Sequence, residues 1–312
     1  MVEKIDKNII PKSVKGIISF GSFHSKDPEK NYSDEFSDLD LFVFTTAPNK
    51  ILSINDIGWL SCFGKPMSVL IIENPFQNTR ITRIMFDNLF SIDYIPVKYS
   101  KFSLVKKYLF LKNRGMEKIV PNHSIVHTEL KAFYSYLIRG YAILYDKKNM
   151  KKIISKIEKQ FSGYDDSSVT EKLFNECYHD FWHSAYKILG KIKRNDMYYA
   201  LVLLDNIFKR RLVQMIEWET RYFYKSKEDL FYLGKKINQW SNESTREELK
   251  KTIFSFNEQE NIKTLITHIN LFQKASKNVA TVQGYNLHLE LETKILETIK
   301  EKSQFNYSEL NP

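Results

Sequence analysis

The sequence predicts an α+β protein, with a mixed sheet and flanking helices in residues 1–148 and a helical bundle in residues 149–312. Three observations lead there. Short apolar runs rich in β-forming residues alternate with helical stretches only as far as Lys148. Beyond that point the long segments repeat their apolar residues at three-to-four spacing, the period of an amphipathic helix. The connections between those segments are short, as in a bundle.

In the first part, strands are expected at residues 15–20, 39–44, 67–73, 82–86, 91–97 and 141–145. Helices are expected at residues 55–62, 102–111 and 121–140, the last stopped by Gly140. In the second part, residues 167–171 offer N-cap candidates for a long helix over 171–194. A second helix over 196–224 carries Ala200, Leu203, Leu204, Ile207, Leu212 and Met215 in helical rhythm. Further helices are expected at 227–239, 245–256, 258–277 and 287–302, with residues 304–312 frayed.

A length of 312 residues fits about two domains. Apolar residues at 43% and charged ones at 27% are ordinary for a soluble globular protein. The two cysteines, Cys62 and Cys177, fall in different parts, so they read as buried thiols rather than a disulfide framework. The N-terminus MVEKIDKNII has acids and no apolar signal core, and no window offers the roughly 18 apolar residues of a membrane span. A cytoplasmic monomer or homodimer that avoids membranes is expected. The net charge of +10 would ordinarily point to an anionic partner such as RNA. The excess is spread along the chain without a run of five or six like charges, and the composition is generally rich in Lys, Asn, Ile and Tyr.

The stretch GSFHSKDPEKNYSDEFSDLDLFVF from Gly21 to Phe44 concentrates the chemistry. Side chains alternate along a strand, so Asp38 and Asp40 point the same way. Two carboxylates on one face repel unless a cation lies between them, and hard oxygen donors at that separation suit Mg²⁺. A lone D-x-D is more often a solvated strand end, but two features favour a metal–nucleotide site. Gly21 and Ser22 follow a strand, where backbone N–H groups can cradle phosphate. Asp93 sits inside the apolar run FSIDYIPV, where a carboxylate needs a partner or a metal.

The pattern GS…SDLDLFVF, followed by a strand bearing a third Asp, resembles the polymerase-β-like nucleotidyltransferase superfamily. CFGKPM, RGYAILYDK, residues 175–191, QMIEW and Gly284-Tyr285 follow in a compatible order, and together they resemble the aminoglycoside 6-adenylyltransferase (streptomycin adenylyltransferase) family over residues 16–299. The resemblance implies a Mg²⁺-dependent enzyme that uses ATP to adenylylate a hydroxyl of an aminoglycoside, streptomycin at its 6-hydroxyl foremost, releasing pyrophosphate. Asp38 and Asp40 would then hold the metal, and Asp93 would complete its shell or act as general base on the hydroxyl, joint duty being the favoured reading. Gly21, Ser22 and Ser37 would meet the triphosphate, and Lys187 and Lys191 would reach it from the bundle. His24 lies in an insertion relative to the family's tighter spacing, and a loop histidine is usually exposed. Asp34 and Glu35 are expected as solvated loop acids or an Asx turn, and Arg139 as a lesser phosphate contact.

A second site, for the acceptor, is expected in the cleft between the two parts. Glu176 and Asp180 are four apart on one helix, with Trp182 and Tyr178 near them. Carboxylates accept ammonium or guanidinium groups and rings stack on sugar faces. Asp180 is the foremost substrate-side acid. Glu217 and Glu219 flank Trp218, one expected toward the cleft and the other toward solvent. The competing readings are a related transferase acting on RNA, tRNA, protein or a lincosamide, and a catalytically silent nucleotide-binding protein.

Overall fold

A computed structural model describes residues 5–26, 33–52, 57–74, 79–161, 169–230, 233–252 and 255–303. The chain divides into two compact units, Met1–Asp166 and Ser167–Pro312. The first begins with β1 (Val14–Phe20) and β2 (Leu39–Thr45), then β3 (Pro66–Asn74), β4 (Thr79–Phe86) and β5 (Ser91–Lys98). It continues through α1 (Tyr99–Lys112), α2 (His123–Leu137), β6 (Ala142–Asp146) and α3 (Met150–Gln160). The expected boundary at 148/149 falls just ahead of α3. The apolar face of α3, Met150, Ile153, Ile154 and Ile157, is buried with Phe42, Phe44 and Leu130 of the first unit, so the division comes later.

The six strands form one mixed sheet in the order β3-β4-β5-β2-β1-β6. Only β2 and β5 run parallel; the other neighbours are antiparallel. Successive side chains of β2 enter different cores. Leu39, Leu41 and Val43 pack with Trp59, Leu60 and Phe63 on one face, whereas Phe42 and Phe44 meet the residues of α1–α3 on the other. Residues 55–56 of the expected helix at 55–62 lie outside the described residues; the rest is a 3-10 turn, Gly58–Phe63. Cys62 on that turn is exposed, contrary to the expectation of a buried thiol, because the turn buries Trp59, Leu60 and Phe63 instead.

The second unit holds α4 (Glu171–Lys193), α5 (Met197–Leu203), α6 (Lys209–Trp218), α7 (Ile237–Trp240), α8 (Glu243–Lys250), α9 (Glu258–Gln283) and α10 (Leu289–Ser303). The Thr170 hydroxyl accepts the Leu173 N–H at 3.3 Å and caps α4. Residues 167–168, also N-cap candidates, lie outside the described residues, as do 231–232, 253–254 and 304–312. The expected helix at 196–224 is continuous in path, but π turns at Leu204–Phe208 and Glu219–Phe223 interrupt it. Helix α9 runs further than expected and ends at Gly284, whose φ of +73° makes a left-handed C-cap. Among the described residues no helix is long and apolar enough to cross a membrane.

Candidate active site

Asp38 immediately precedes β2 and Asp40 lies on it, on the face of Phe42 and Phe44. The parallel register of β2 with β5 places Asp40 directly opposite Asp93. One carboxylate oxygen from each of Asp38, Asp40 and Asp93 lies within 4.8 Å of the others. Asp38 and Asp40 are half-buried, and Asp93 is buried at 8% exposure. So tight a group of carboxylates needs positive charge among or beside it. The donor set is all hard oxygen, which fits Mg²⁺.

Part of that charge is supplied by a residue the sequence reading missed. Strand β4 pairs antiparallel with β5 and sets Arg83 opposite Asp93. Arg83 Nε donates to Asp93 Oδ1 at 2.8 Å, and Nη2 to Oδ2 at 2.6 Å. This is a bidentate guanidinium–carboxylate pair. It holds the Arg83 proton more tightly than usual, through the bonds and charge of Asp93 first and the charges of Asp38 and Asp40 after. The signal in the sequence was the hairpin itself. With the register fixed between residues 79–86 and 91–98, Arg83 must face Asp93.

Gly21 follows β1, whose last residue Phe20 pairs with Asp40. Its φ is +81°, and a Cβ there would lie 2.2 Å from Asp40 Oδ2. Only glycine fits both the backbone and the carboxylate. The next residue, Ser22, has a buried hydroxyl with no hydrogen-bond partner. An unsatisfied buried hydroxyl is unfavourable, and a phosphate oxygen would satisfy it.

Ser37 is engaged differently. Its hydroxyl donates to Asp34 Oδ1 at 2.9 Å and accepts the Asp34 N–H at 2.9 Å, while Phe36 N–H donates to the same Asp34 oxygen at 3.0 Å. These bonds form an Asx turn that leads the chain into Asp38. Glu35 is exposed. His24 is half-buried rather than exposed: its Nε2 meets the Ser19 hydroxyl at 2.5 Å, and burial lowers its pKa.

The second unit contains acid-lined cavities of its own. Glu176 and Asp180 line one of about 860 Å³ with His179, His183, Arg211 and Lys294. Asp180 also lines another of about 370 Å³, with Asn206, Arg210, Arg211, Gln214 and Glu217. Asp180 already accepts a hydrogen bond from Arg211 Nε at 2.7 Å, and Glu176 lies 3.9 Å from Lys172. Burial pushes the Glu217 carboxyl up to about 7, and its Oε1 has no hydrogen-bond partner.

Three expectations for this unit need correction. Trp182 is fully buried against Tyr178 and Phe181, so its ring cannot stack on a ligand. Tyr178 is also fully buried, and its hydroxyl donates to Glu292. Of the two acids beside Trp218, neither is solvated: Glu217 lines the smaller cavity, and Glu219 is buried and accepts from Asn278 Nδ2 at 2.6 Å. Lys187 and Lys191 line a third cavity with Lys193, Arg194 and Lys302. Within it, Lys191 pairs with Asp196 at 3.0 Å and lies over the Tyr199 ring at 4.5 Å.

Comparison with known proteins gives a consistent result. The sequence profile of the family described as Streptomycin adenylyltransferase matches residues 12–301. The chain is 23% identical over 263 residues to an aminoglycoside 6-adenylyltransferase of Bacillus subtilis (strain 168), covering 81% of this chain and 80% of that protein. It is 24% identical over 265 residues to an aminoglycoside 6-adenylyltransferase of Staphylococcus aureus, covering 84% of each. A crystal structure of an aminoglycoside 6-adenyltransferase from Bacillus subtilis aligns over 97% of both chains, at 17% identity and a TM-score of 0.43.

Proposed function

The chain belongs to the streptomycin adenylyltransferase family and is a nucleotidyltransferase, and we propose that it transfers AMP from ATP to a hydroxyl of an aminoglycoside, namely the 6-hydroxyl of streptomycin, with Mg²⁺ and release of pyrophosphate. The observation that supports this reading most is the convergence of Asp38, Asp40 and Asp93 within 4.8 Å. Gly21 beside Asp40 and the unpartnered Ser22 hydroxyl extend the same site toward a phosphate.

Asp38, Asp40 and Asp93 would hold the metal. When bound, Mg²⁺ supplies positive charge that offsets the triphosphate and the charge developing on transfer. Ser22 Oγ and the backbone beside Gly21 would receive phosphate oxygens. The acceptor hydroxyl oxygen bonds to the α-phosphorus as the bond to pyrophosphate breaks. The hydroxyl proton must leave. Asp93 has lone pairs beyond those bound by Arg83, which is compatible with joint duty as ligand and base, although proton uptake would compete with the Arg83 pair. In the second unit, Asp180, Glu176 and Glu217 are the acids offered to the cationic groups of the acceptor. Lys187 and Lys191 remain phosphate candidates.

A transferase acting on RNA is the second reading, favoured by the net charge of +10. Pyrophosphate release from Mg-ATP, measured with streptomycin, other aminoglycosides, a lincosamide and tRNA as acceptors, separates the two. Release with streptomycin and transfer of AMP to it is expected; release with tRNA alone would reject the aminoglycoside reading.

A further inference from the structure

Arg211 and Asp180 form the wall shared by the two acid-lined cavities of the second unit. Arg211 stands on α6 and Asp180 on α4, joined by the 2.7 Å bond from Nε to Oδ2. A second bond, Nη1 to Gln214 Oε1 at 2.9 Å, orients the guanidinium. Both side chains stay part-exposed, at 35% and 38%. The contact engages one carboxylate oxygen through one nitrogen, without the two-point fork that makes such pairs strong. It is therefore a guanidinium held on a carboxylate at the edge of open space, and it can be exchanged.

The charge balance of the cavities depends on it. With Arg211 in place, the smaller cavity sets Asp180 and a Glu217 carboxyl that burial leaves partly protonated against Arg210 and Arg211, and the larger sets Glu176 and Asp180 against Arg211 and Lys294. Neither then has a fixed acid in excess. If Arg211 leaves Asp180, each gains a carboxylate without a fixed counter-charge, and Glu217 also lines the smaller one. A cationic ligand would complete both.

We infer that Arg211 is a resident guanidinium that competes with the cationic group of the acceptor for Asp180, and so sets which cations the second unit accepts. The inference rests on the reading of Asp180 as an acceptor-binding acid and adds the residue that governs it. A guanidinium-bearing ligand displaces Arg211 by offering the same donors with better geometry; a single ammonium does so less well. Arg211 is thus a specificity-determining residue, not a catalytic one.

The test is calorimetric binding of streptomycin, which carries guanidinium groups, to the full chain and to Arg211→Met and Arg211→Lys variants. Arg211→Met should tighten binding about two- to fivefold, the scale of a part-exposed ion pair. Arg211→Lys keeps the competing charge and should stay within about twofold of the parent. Methylguanidinium, added alone, should bind the Met variant more tightly than the parent. Should Arg211→Met fail to fold, Arg211→Gln, which keeps a donor and drops the charge, takes its place with the same expectation. Unchanged or weaker streptomycin binding in a folded neutral variant overturns the inference, as does absence of binding by every form. A parent chain that binds streptomycin, with the neutral variant binding it tighter, yet transfers no AMP counts against the transferase reading and leaves this inference standing.

Discussion

Arg83 and Asp93 face one another across β4 and β5, and the guanidinium engages both carboxylate oxygens, at 2.8 Å and 2.6 Å. Asp93 in turn lies opposite Asp40 in the parallel pair. The row Arg83–Asp93–Asp40 therefore crosses three strands, with the charge of Arg83 at one end and Gly21 beside the other. Arg83 fixes the rotamer of Asp93 and tempers repulsion within the acid cluster. Arg83→Met should lower turnover about ten- to a hundredfold and shift the Mg²⁺ concentration needed for half-maximal rate, with Arg83→Lys intermediate. Titrating pyrophosphate release with Mg²⁺ checks this. A Met variant with the parental Mg²⁺ curve and rate would show that the pair is ornamental to the site.

Gly21 is the tightest steric constraint at the site. Gly21→Ala meets Asp40 Oδ2 at 2.2 Å and places a side chain at φ +81°. The backbone strain alone amounts to about 1–2 kcal/mol, and the carboxylate must also turn away. Stability should drop by that amount, while turnover falls by at least about a hundredfold, because a misplaced ligand disrupts positioning. Thermal unfolding alongside steady-state kinetics measures both. Loss of stability with normal turnover would contradict the role given to this turn.

Glu217 makes stability depend on pH in a defined direction. Burial raises its carboxyl from 4.5 to about 7. Between those values the native state binds more proton than the unfolded state, so stability falls as pH rises through the window. It is highest, for this group, below about 4.5 and lowest above about 7. The full contribution is on the order of 3 kcal/mol. Glu217→Gln removes the titration and should gain stability over the parent between pH 5 and 8. Urea unfolding of both at those two pH values tests it; parallel changes in the two proteins would rule it out.

Trp182 belongs to the core of the bundle. Trp182→Ala should destabilise by about 3–5 kcal/mol. Trp182→Phe should leave the acceptor KM within about twofold, since no ligand touches the ring. A large rise in KM for a stably folded Phe variant would restore the discarded stacking role.

The three clustered acids were legible because they depend on the shortest rule of strand geometry. Asp38 and Asp40 share a face by alternation, and Asp93 is conspicuous as an acid inside an apolar strand. Arg83 was not legible, because it meets Asp93 only through a hairpin register that one residue of slip would have destroyed. Trp182 was misread although the geometry was available. Two positions along a helix is a turn of about 200°, so Trp182 points away from Asp180. In a helix buried as widely as α4, that side is core as well. Asp180 was read as open to a ligand, but its partner Arg211 lies 31 positions further on, on another helix, beyond the reach of local pattern. The fold class followed from where the strands stop. The length of α9 did not, since its last turns depend on the Gly284 cap.

The central claim is that three carboxylates, one just ahead of β2, one on β2 and one on β5, carry the transfer. The direct measurement is the mass of streptomycin after incubation with Mg-ATP and, in turn, the parent chain and folded Asp38→Asn, Asp40→Asn and Asp93→Asn variants. The account predicts addition of AMP by the parent and, at equal time, less than about 1% of it by each variant, the loss expected when metal-held positioning and charge are removed. Parental yields from the Asp38 and Asp40 variants would contradict it.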